Sequence, residues 1–286
     1  MMRFALLSSG SKGNCFVLQD EHTTLMIDCG NTRRYLSMRL DELGISPQDI
    51  DALLITHTHT DHISQLKMFS ALPVYAPCDI GRDYTNVIPD KPFQIEHLTI
   101  TPIALSHDAE HTTGYIIESW QEKLVYITDT GYVKDRYLPK IKGADYMILE
   151  SNHDPEMLMK TGRPLYLRMR IAGDSGHLCN EDCADILTRT VTARTRMIVL
   201  AHISEEANTR ETALSVSRQQ LLAHHDRRKD LLLCAAGQKE MILGGEWGDE
   251  KMVGGSCRTV IGLDDLAHGE SRESSEPGDP GTAVSR

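Results

Sequence analysis

Four potential metal ligands lie within one short segment of the chain: His57, His59, Asp61 and His62. Neutral imidazoles and carboxylates bind ions such as Zn²⁺, Mn²⁺ and Fe²⁺. Three histidines and one aspartate are too many for a single tetrahedral ion with an open position, so the spacing indicates two adjacent ions. In an extended chain, side chains two residues apart point the same way, so His57 and His59 can bind one ion. Asp61 and His62 can turn to a second ion, and the alternative is a polar loop without metal.

The sequence on either side of this segment predicts how it is positioned. Residues 52–55 are an apolar run that predicts a buried strand, and residues 63–69 have the pattern of a helix start. A strand end would therefore deliver all four ligands to one turn. Residues 3–7, 15–19, 24–27, 123–128, 146–149 and 196–200 predict further strands.

The H-x-H-x-D-H pattern of residues 57–62 resembles the signature of the metallo-β-lactamase fold superfamily of hydrolases. The resemblance implies an α/β fold, a four-layer αββα sandwich with a dinuclear metal site at one rim. It also implies that His107 completes the first site, that Asp129 bridges the two ions, and that His202 completes the second site. His111, four residues after His107, is the alternative for the first of these positions.

Asp28 follows the strand predicted at residues 24–27. It matches an acidic residue that, in the superfamily, orients the metal-binding loops by hydrogen bonds. Outer groups of this kind fix the orientation of metal ligands without binding the ion themselves.

Longer blocks resemble the YycJ (WalJ) branch of this superfamily, at residues 9–14, 106–109, 128–132, 150–154, 176–182 and 200–204. This second resemblance covers roughly residues 1–235. It implies hydrolysis of phosphodiesters, as a 5′-to-3′ DNA exonuclease that uses a hydroxide shared by the two metal ions as its nucleophile. It also implies kinship to phosphodiesterases of small cyclic ribose phosphates. The ions can be Zn²⁺, Mn²⁺ or Fe²⁺, because imidazole and carboxylate suit all three.

The catalytic group is expected to comprise Asp61, His153 and His177. The two histidines lie in blocks that resemble the YycJ branch and have no ligand role. Either can protonate the leaving oxygen or bind phosphate. The alternative is a hydrogen-bonded histidine at the rim of the site.

Two segments are candidates for substrate contacts. The turn at residues 8–14 contains Ser9, Ser11 and Asn14, which can face an anionic substrate, although the same residues suit a plain hairpin turn. Residues 160–170 carry four bases and no acid, so Arg163, Arg168 and Arg170 can bind a phosphodiester backbone beside Tyr166. A solvated helical face explains this segment equally well.

Composition sets the compartment and the class of protein. The seven cysteines form no C-x-x-C pair, and their odd number argues for reduced thiols in a cytoplasmic protein. No apolar run approaches the roughly 18 residues of a membrane span, so no membrane association is expected. The net charge of −11 is not that of a general nucleic-acid binder. Nucleic acid as a substrate is what the YycJ resemblance implies, and the sequence leaves the oligomeric state open.

Residues 1–243 are predicted to form one hydrolase domain, and residues 244–286 a C-terminal extension that is disordered from about residue 267. The candidates for docking onto the domain are Trp247, Val260, Ile261 and Leu263. Two other functions remain open. A hydrolase of small cyclic phosphodiesters, lactones or thioesters would use the same ligands, and a metal-dependent interaction module would bind without hydrolysis.

Overall fold

The structure is a computed structural model that describes residues 1–224, 230–247 and 261–262. Its strands are β1 (Arg3–Ser8), β2 (Cys15–Gln19), β3 (Thr24–Ile27), β4 (Ala52–Leu54), β5 (Val74–Ala76), β6 (Thr85–Asn86), β7 (Phe93–Ile95), β8 (Leu98–Ala104), β9 (Thr113–Glu118), β10 (Lys123–Ile127), β11 (Tyr146–Glu150), β12 (Met197–Ala201), β13 (Leu232–Ala235), β14 (Ile242–Gly245) and β15 (Ile261–Gly262). Its α-helices are α1 (Arg33–Leu43), α2 (Thr60–Ile63), α3 (Leu138–Ile141), α4 (Pro155–Lys160), α5 (Leu165–Ala172), α6 (Asn180–Thr190) and α7 (Arg210–Ala223). None of the helices in these ranges is both long and apolar enough to cross a membrane.

The strands form two mixed sheets. The first has the order β14-β1-β2-β3-β4-β5-β6, and the second has the order β15-β13-β12-β11-β10-β9-β8-β7. Strands β3 to β6 run parallel in the first sheet, and β10 to β13 run parallel in the second. The carboxyl ends of neighbouring parallel strands lie at one edge of a sheet, so each sheet has an edge where several strand ends come together.

Both faces of each sheet are buried. In β1, Phe4 and Leu6 pack between the sheets, where the Phe4 ring lies 5.3 Å from that of Tyr146 in β11. Ala5 and Leu7, which alternate with them, belong instead to the core beneath α1. Strands buried on both faces are continuous apolar runs, which is the pattern that predicts β1 to β4 and β10 to β12.

Helices cover the outer faces. Helix α1 begins after Thr32, whose hydroxyl accepts a hydrogen bond from the Tyr35 amide, and ends at Gly44 with a φ of 67°. Helices α3, α6 and α7 pack against the second sheet around a separate core. The chain therefore has the four layers of an αββα sandwich, and this part of the sequence prediction is confirmed.

The C-terminal part of the described chain extends the first sheet. Strand β14 pairs with β1, across the boundary predicted between residues 243 and 244. The Trp247 side chain is buried, and its Nε1 donates to the carbonyls of Phe4 at 3.1 Å and Gly244 at 3.0 Å. The folded domain thus extends to at least residue 247. Residues 248–260 and 263–286, including the predicted disordered tail, lie outside the described residues.

Candidate metal centre

Five parallel strands end at one rim, and each is followed or closed by a polar residue. Asp28 follows β3, His57 comes three residues after β4, and Asp129 comes two residues after β10. Glu150 is the last residue of β11, and His202 follows β12. The topology thus places these side chains together, although up to 174 residues separate them in the chain (202 − 28).

The first group of potential ligands comprises His57, His59 and His107, each with one atom within 4.8 Å of the others. The His107 ring centroid lies 5.2 Å from that of His57 and 5.1 Å from that of His59. Nδ1 of His107 lies 2.9 Å from the Gly176 carbonyl, and a carbonyl can only accept, so Nε2 is the atom that faces the group. The alternative residue, His111, has a side chain that is 65% exposed and lies outside the cluster.

The second group comprises Asp61, His62 and His202. Asp129 lies between the two groups. One of its oxygens, Oδ2, is 3.3 Å from His62 Nε2, and the other, Oδ1, is 3.5 Å from His202 Nε2 and 3.9 Å from His107 Nε2. A carboxylate in this position can contact ions on both sides.

Several atoms of the cluster are buried without a partner. His57 Nε2, His202 Nε2 and Asp129 Oδ2 have no hydrogen-bond partner in the described structure. An unsatisfied buried polar atom costs about 1–3 kcal/mol, so three together indicate a missing partner. Ligands about 2.1 Å from one tetrahedral ion lie about 3.4 Å apart, and the separations of 3.3 and 3.5 Å match this value. These residues therefore fit divalent metal ions.

Asp28 makes hydrogen bonds to the ligand-bearing loop that follows β4 in the first sheet. Its Oδ1 accepts from the Thr56 amide at 2.9 Å, and its Oδ2 accepts from the Thr56 hydroxyl at 2.8 Å. Oδ2 also lies 2.8 Å from His62 Nδ1, which leaves His62 Nε2 directed at the centre. Through these contacts Asp28 would orient His62 toward a metal ion.

Glu150 makes the corresponding contacts in the second sheet, and sequence reasoning did not assign it. Its fully buried Oε1 lies 2.7 Å from His202 Nδ1 and 2.8 Å from His177 Nδ1, and its Oε2 accepts from the Thr130 amide at 2.8 Å. The available signal was the same as for Asp28, namely an acidic residue that closes a buried parallel strand beside other ligand strands.

The two ligand groups differ in their electrostatics. Burial lowers the pKa of His57, His59 and His107, so these rings are neutral ligands. Burial also disfavours the charged form of His62, but the carboxylates of Asp28 and Asp129 outweigh it and raise the pKa of His62 well above its usual range.

His202 and Glu150 stabilise each other's charge. Burial opposes protonation of His202, yet Asp129 and Glu150 raise its pKa to about 9. Burial also opposes ionisation of Glu150, while the neighbouring His177 and His202 lower its pKa to about 2. The second group thus keeps protons that metal ions would have to displace.

The backbone is strained at three of these positions. Asp28, Asp129 and His202 have φ values of 58°, 59° and 54°, in the left-handed region that residues with a Cβ avoid. The cost is roughly 1–2 kcal/mol per residue. Strain of this kind is typical of functional sites, and here it turns each side chain away from its strand and over the rim.

Two of the predicted substrate contacts support the ligand loops instead. The Ser9 hydroxyl accepts from the His202 amide at 2.8 Å. Asn14 is fully buried, and its Nδ2 lies 2.9 Å from His62 Nε2 and 3.2 Å from Asp61 Oδ2. Neither side chain is exposed to a substrate, because the turn is packed against the rim. Ser11 is exposed and lines a cavity.

That cavity has a volume of about 310 Å³ and lies beside the second ligand group. Lys12, Arg163, His177 and His202 are among the residues that line it. A second cavity of about 190 Å³ lies beside the first group and is also lined by His177. His153, the other predicted proton donor, is buried and lines neither of these two cavities.

The three arginines predicted to bind phosphates are engaged within the chain. Nε of Arg163 donates to Glu206 at 2.9 Å, Arg168 donates to the Met159 carbonyl, and Arg170 pairs with Asp108. Arg163 lines the larger cavity and Arg170 the smaller one, whereas Arg168 lines neither. A phosphate would have to exchange with these partners.

The comparison with known families is decisive for this fold. A family model described as "Beta-lactamase superfamily domain" matches residues 23–203. The chain belongs to the metallo-β-lactamase superfamily. This superfamily fold also appears in the solved YhfI protein from Bacillus subtilis, with a TM-score of 0.65 at 17% identity over 85% of this chain and 99% of that chain.

Two relatives place the chain in the YycJ branch of the superfamily. Exodeoxyribonuclease YycJ of Bacillus anthracis is 34% identical over 233 residues, which cover 76% of this chain and 88% of the relative. Exodeoxyribonuclease WalJ of Streptococcus pneumoniae serotype 2 (strain D39) is 33% identical over 74% of this chain and 85% of the relative. The chain is therefore a hydrolase of this superfamily, and the family resemblance predicted from its sequence is confirmed.

Proposed function

We propose that this chain is a two-metal phosphodiester hydrolase that degrades DNA from the 5′ end as an exonuclease. The observation that carries the proposal is the position of Asp129 between two complete ligand groups, which suits a pair of ions rather than one. The names of the YycJ and WalJ relatives support DNA as the substrate, because the match covers most of their length.

The first ion would be held by His57, His59 and His107, the second by Asp61, His62 and His202, and Asp129 would contact both. Divalent ions at such a site supply an activated water at neutral pH and positive charge for both oxygens of an in-line displacement. Zn²⁺, Mn²⁺ and Fe²⁺ all accept these ligands. No side-chain nucleophile is needed.

His177 is the proposed proton donor to the leaving oxygen. Its Nδ1 lies 2.8 Å from Glu150, so Nε2 is the nitrogen that remains available to a substrate. The side chain is 21% exposed and lines the cavities on both sides of the centre. His153 is the weaker candidate for the proton donor, because its side chain is buried.

The outer face of α5 is the proposed contact for unpaired bases. Leu165, Tyr166 and Met169 are 60%, 75% and 57% exposed there, while Ile171 of the same helix lines both cavities. Aromatic side chains beside a nuclease site stack on bases irrespective of sequence. This arrangement favours single-stranded DNA, whose bases are free to stack.

A second candidate is a small phosphodiester, and the larger cavity favours it. A volume of about 310 Å³ lies at the lower end of the range of small-ligand sites. Such a substrate would not contact α5. A lactone or thioester would use the same ligands but would have no need for a group that protonates a phosphate leaving oxygen.

The experiment compares three substrates at matched concentration: linear 5′-phosphorylated single-stranded DNA, the same sequence closed into a circle, and bis-p-nitrophenyl phosphate. We expect rapid release of mononucleotides from the linear DNA, none from the circle, and slow cleavage of the small ester. Asp129→Asn serves as the inactive control. Equal cleavage of circle and line excludes an exonuclease, and turnover of the small ester alone favours the second candidate.

A further inference from the structure

Asp108 lies beside the first ligand group, although the family resemblance assigns it no role. It follows His107 in the loop after β8, and its side chain is 23% exposed. Its Oδ1 is 3.2 Å from His107 Nε2 and 3.8 Å from His59 Nε2. One carboxylate oxygen thus faces the ligand nitrogens of two histidines.

The hydrogen bonds around His107 explain why this contact calls for a cation. The Gly176 carbonyl accepts from Nδ1, so in the ligand tautomer Nε2 presents a lone pair. A lone pair and a carboxylate oxygen repel each other at 3.2 Å unless a positive charge lies between them. The neighbouring His57 Nε2 is buried without a partner and belongs to the same group.

The distances agree with a shared ion. Two ligands that each lie 2.0–2.2 Å from one ion are about 3.0–3.6 Å apart when they occupy neighbouring positions. The separation from His107 lies inside this range, and the separation from His59 is slightly above it.

We propose that Asp108 is a further protein ligand of the ion bound by His57, His59 and His107. Its other oxygen, Oδ2, accepts from Arg170 of α5, as expected for a ligating carboxylate that is itself held by a donor. The ion pair between Asp108 and Arg170 therefore connects the first metal position to α5, the helix that lines both cavities.

This ligand changes which metal the first position prefers. Three imidazoles, Asp108 and Asp129 would together offer the first ion five protein groups. Zn²⁺ favours four ligands, whereas Mn²⁺ and Fe²⁺ accept six with more oxygen donors. With Asp108 as a ligand, the first position would favour Mn²⁺ or Fe²⁺ over Zn²⁺ more than the three imidazoles and Asp129 alone would.

The test compares Asp108→Asn with Arg170→Gln, because both remove the ion pair but only the first removes the ligand charge. Mn²⁺ and Zn²⁺ are titrated separately into chelator-treated full-length protein by calorimetry, and folding is checked by circular dichroism. We expect Asp108→Asn to weaken Mn²⁺ binding at one of the two positions by at least about tenfold. Zn²⁺ binding should weaken less, and Arg170→Gln should retain most of the Mn²⁺ affinity.

A second readout is the visible spectrum of the Co²⁺-loaded protein, which reports coordination number. Asp108→Asn should intensify the bands as the coordination number falls, and Arg170→Gln should not. Equal losses in the two variants, or unchanged Mn²⁺ affinity in Asp108→Asn, would show that Asp108 only anchors α5. The inference rests on the metal centre and not on the substrate, so it can fail while the DNA proposal stands.

Discussion

The Glu150 carboxylate lies 2.7 Å from Nδ1 of His202, across the neighbouring parallel strands β11 and β12. The same oxygen, Oε1, also accepts a hydrogen bond from Nδ1 of His177, and Oε2 accepts from two backbone amides. Each of these contacts therefore brings a hydrogen-bond donor to Glu150. A carboxylate is the side chain that satisfies donors on both oxygens. Asp28 therefore orients His62 from the first sheet, and Glu150 orients both His177 and His202 from the second.

Replacement of Glu150 by glutamine should weaken metal binding. The amide group would direct its own N–H at donors, which turns His202 and leaves its Nε2 misaligned. Loss of such an outer partner typically costs 10–100-fold in metal affinity, and we expect that range for one of the two ions by calorimetric titration. Glu156→Gln is the matched control, because that side chain is 84% exposed on α4. Full affinity in Glu150→Gln would contradict the orienting role.

Metal binding should release protons, and the two positions should differ. The raised pKa of His62 and the His202 pKa of about 9 mean that both rings are doubly protonated, and so positively charged, at pH 7 in the metal-free protein. The lowered pKa values of His57, His59 and His107 mean that these rings are neutral, with one nitrogen free to bind metal. We expect about two protons released, all with the second ion, because a ligand nitrogen must be deprotonated.

This proton release is measured by titration in buffers of different ionisation enthalpy. The affinity of the second position should fall as the pH falls below about 9, whereas that of the first position should hold until a much lower pH. Release of equal numbers of protons at both positions would contradict the assignment of charges.

His177→Ala should slow DNA hydrolysis without removing metal. General acid catalysis contributes typically 10²–10⁴-fold, and a loss of turnover in that range is expected. His153→Ala should have a smaller effect, because His153 lines neither cavity beside the centre. The measurements are turnover on linear DNA and metal content by mass spectrometry. If His177→Ala loses its metal, His177 is a ligand and not the proton donor.

Tyr166→Ala should weaken DNA binding and spare the chemistry. Base–aromatic stacking is worth about 1–3 kcal/mol, so Kd for single-stranded DNA should rise about 5- to 150-fold. Cleavage of bis-p-nitrophenyl phosphate should be unchanged. Trp120→Ala is the control, since that ring is 89% exposed in the turn between β9 and β10, at the end of β10 away from Asp129. Equal effects of the two variants would exclude a stacking surface on α5.

Trp247→Ala should destabilise the fold. The side chain is 7% exposed and its Nε1 donates to two backbone carbonyls, so its removal opens a cavity against β1. Truncation of a buried tryptophan costs about 3–5 kcal/mol, measured as a shift of the urea midpoint at constant slope. Trp120→Ala, which exposes nothing new, should shift stability by less than about 0.5 kcal/mol. An unchanged midpoint in Trp247→Ala would mean that the domain does not depend on residues beyond 243.

Local patterns in the sequence were sufficient for β1 to β4 and for β10 to β12. The β2 and β3 runs, for example, are apolar and bounded by turn residues. The helix predicted over residues 63–69 is instead α2 at Thr60–Ile63, followed by a 3-10 turn. Helix α2 begins directly after His59 and carries Asp61 and His62.

Partners distant in sequence explain what was missed. Glu150 became recognisable only when the fold brought His177 and His202 to it, 27 and 52 residues further along the chain. Asn180 likewise meets its partner only in the fold, where it is buried against Asn208, 28 residues further along the chain. The sequence shows which residues can act as ligands or hydrogen-bonding groups, but their partners depend on the order of the strands in the sheets.

The left-handed backbone at Asp28, Asp129 and His202 has a consequence for how this chain would respond to selection. Glycine adopts that conformation without penalty, so a search for heat tolerance alone would favour it at all three positions. Each replacement would relax the main chain and erase a metal-binding or orienting group. Screening of variants for thermal stability alone should therefore select more stable but inactive proteins, unless catalysis is assayed in parallel.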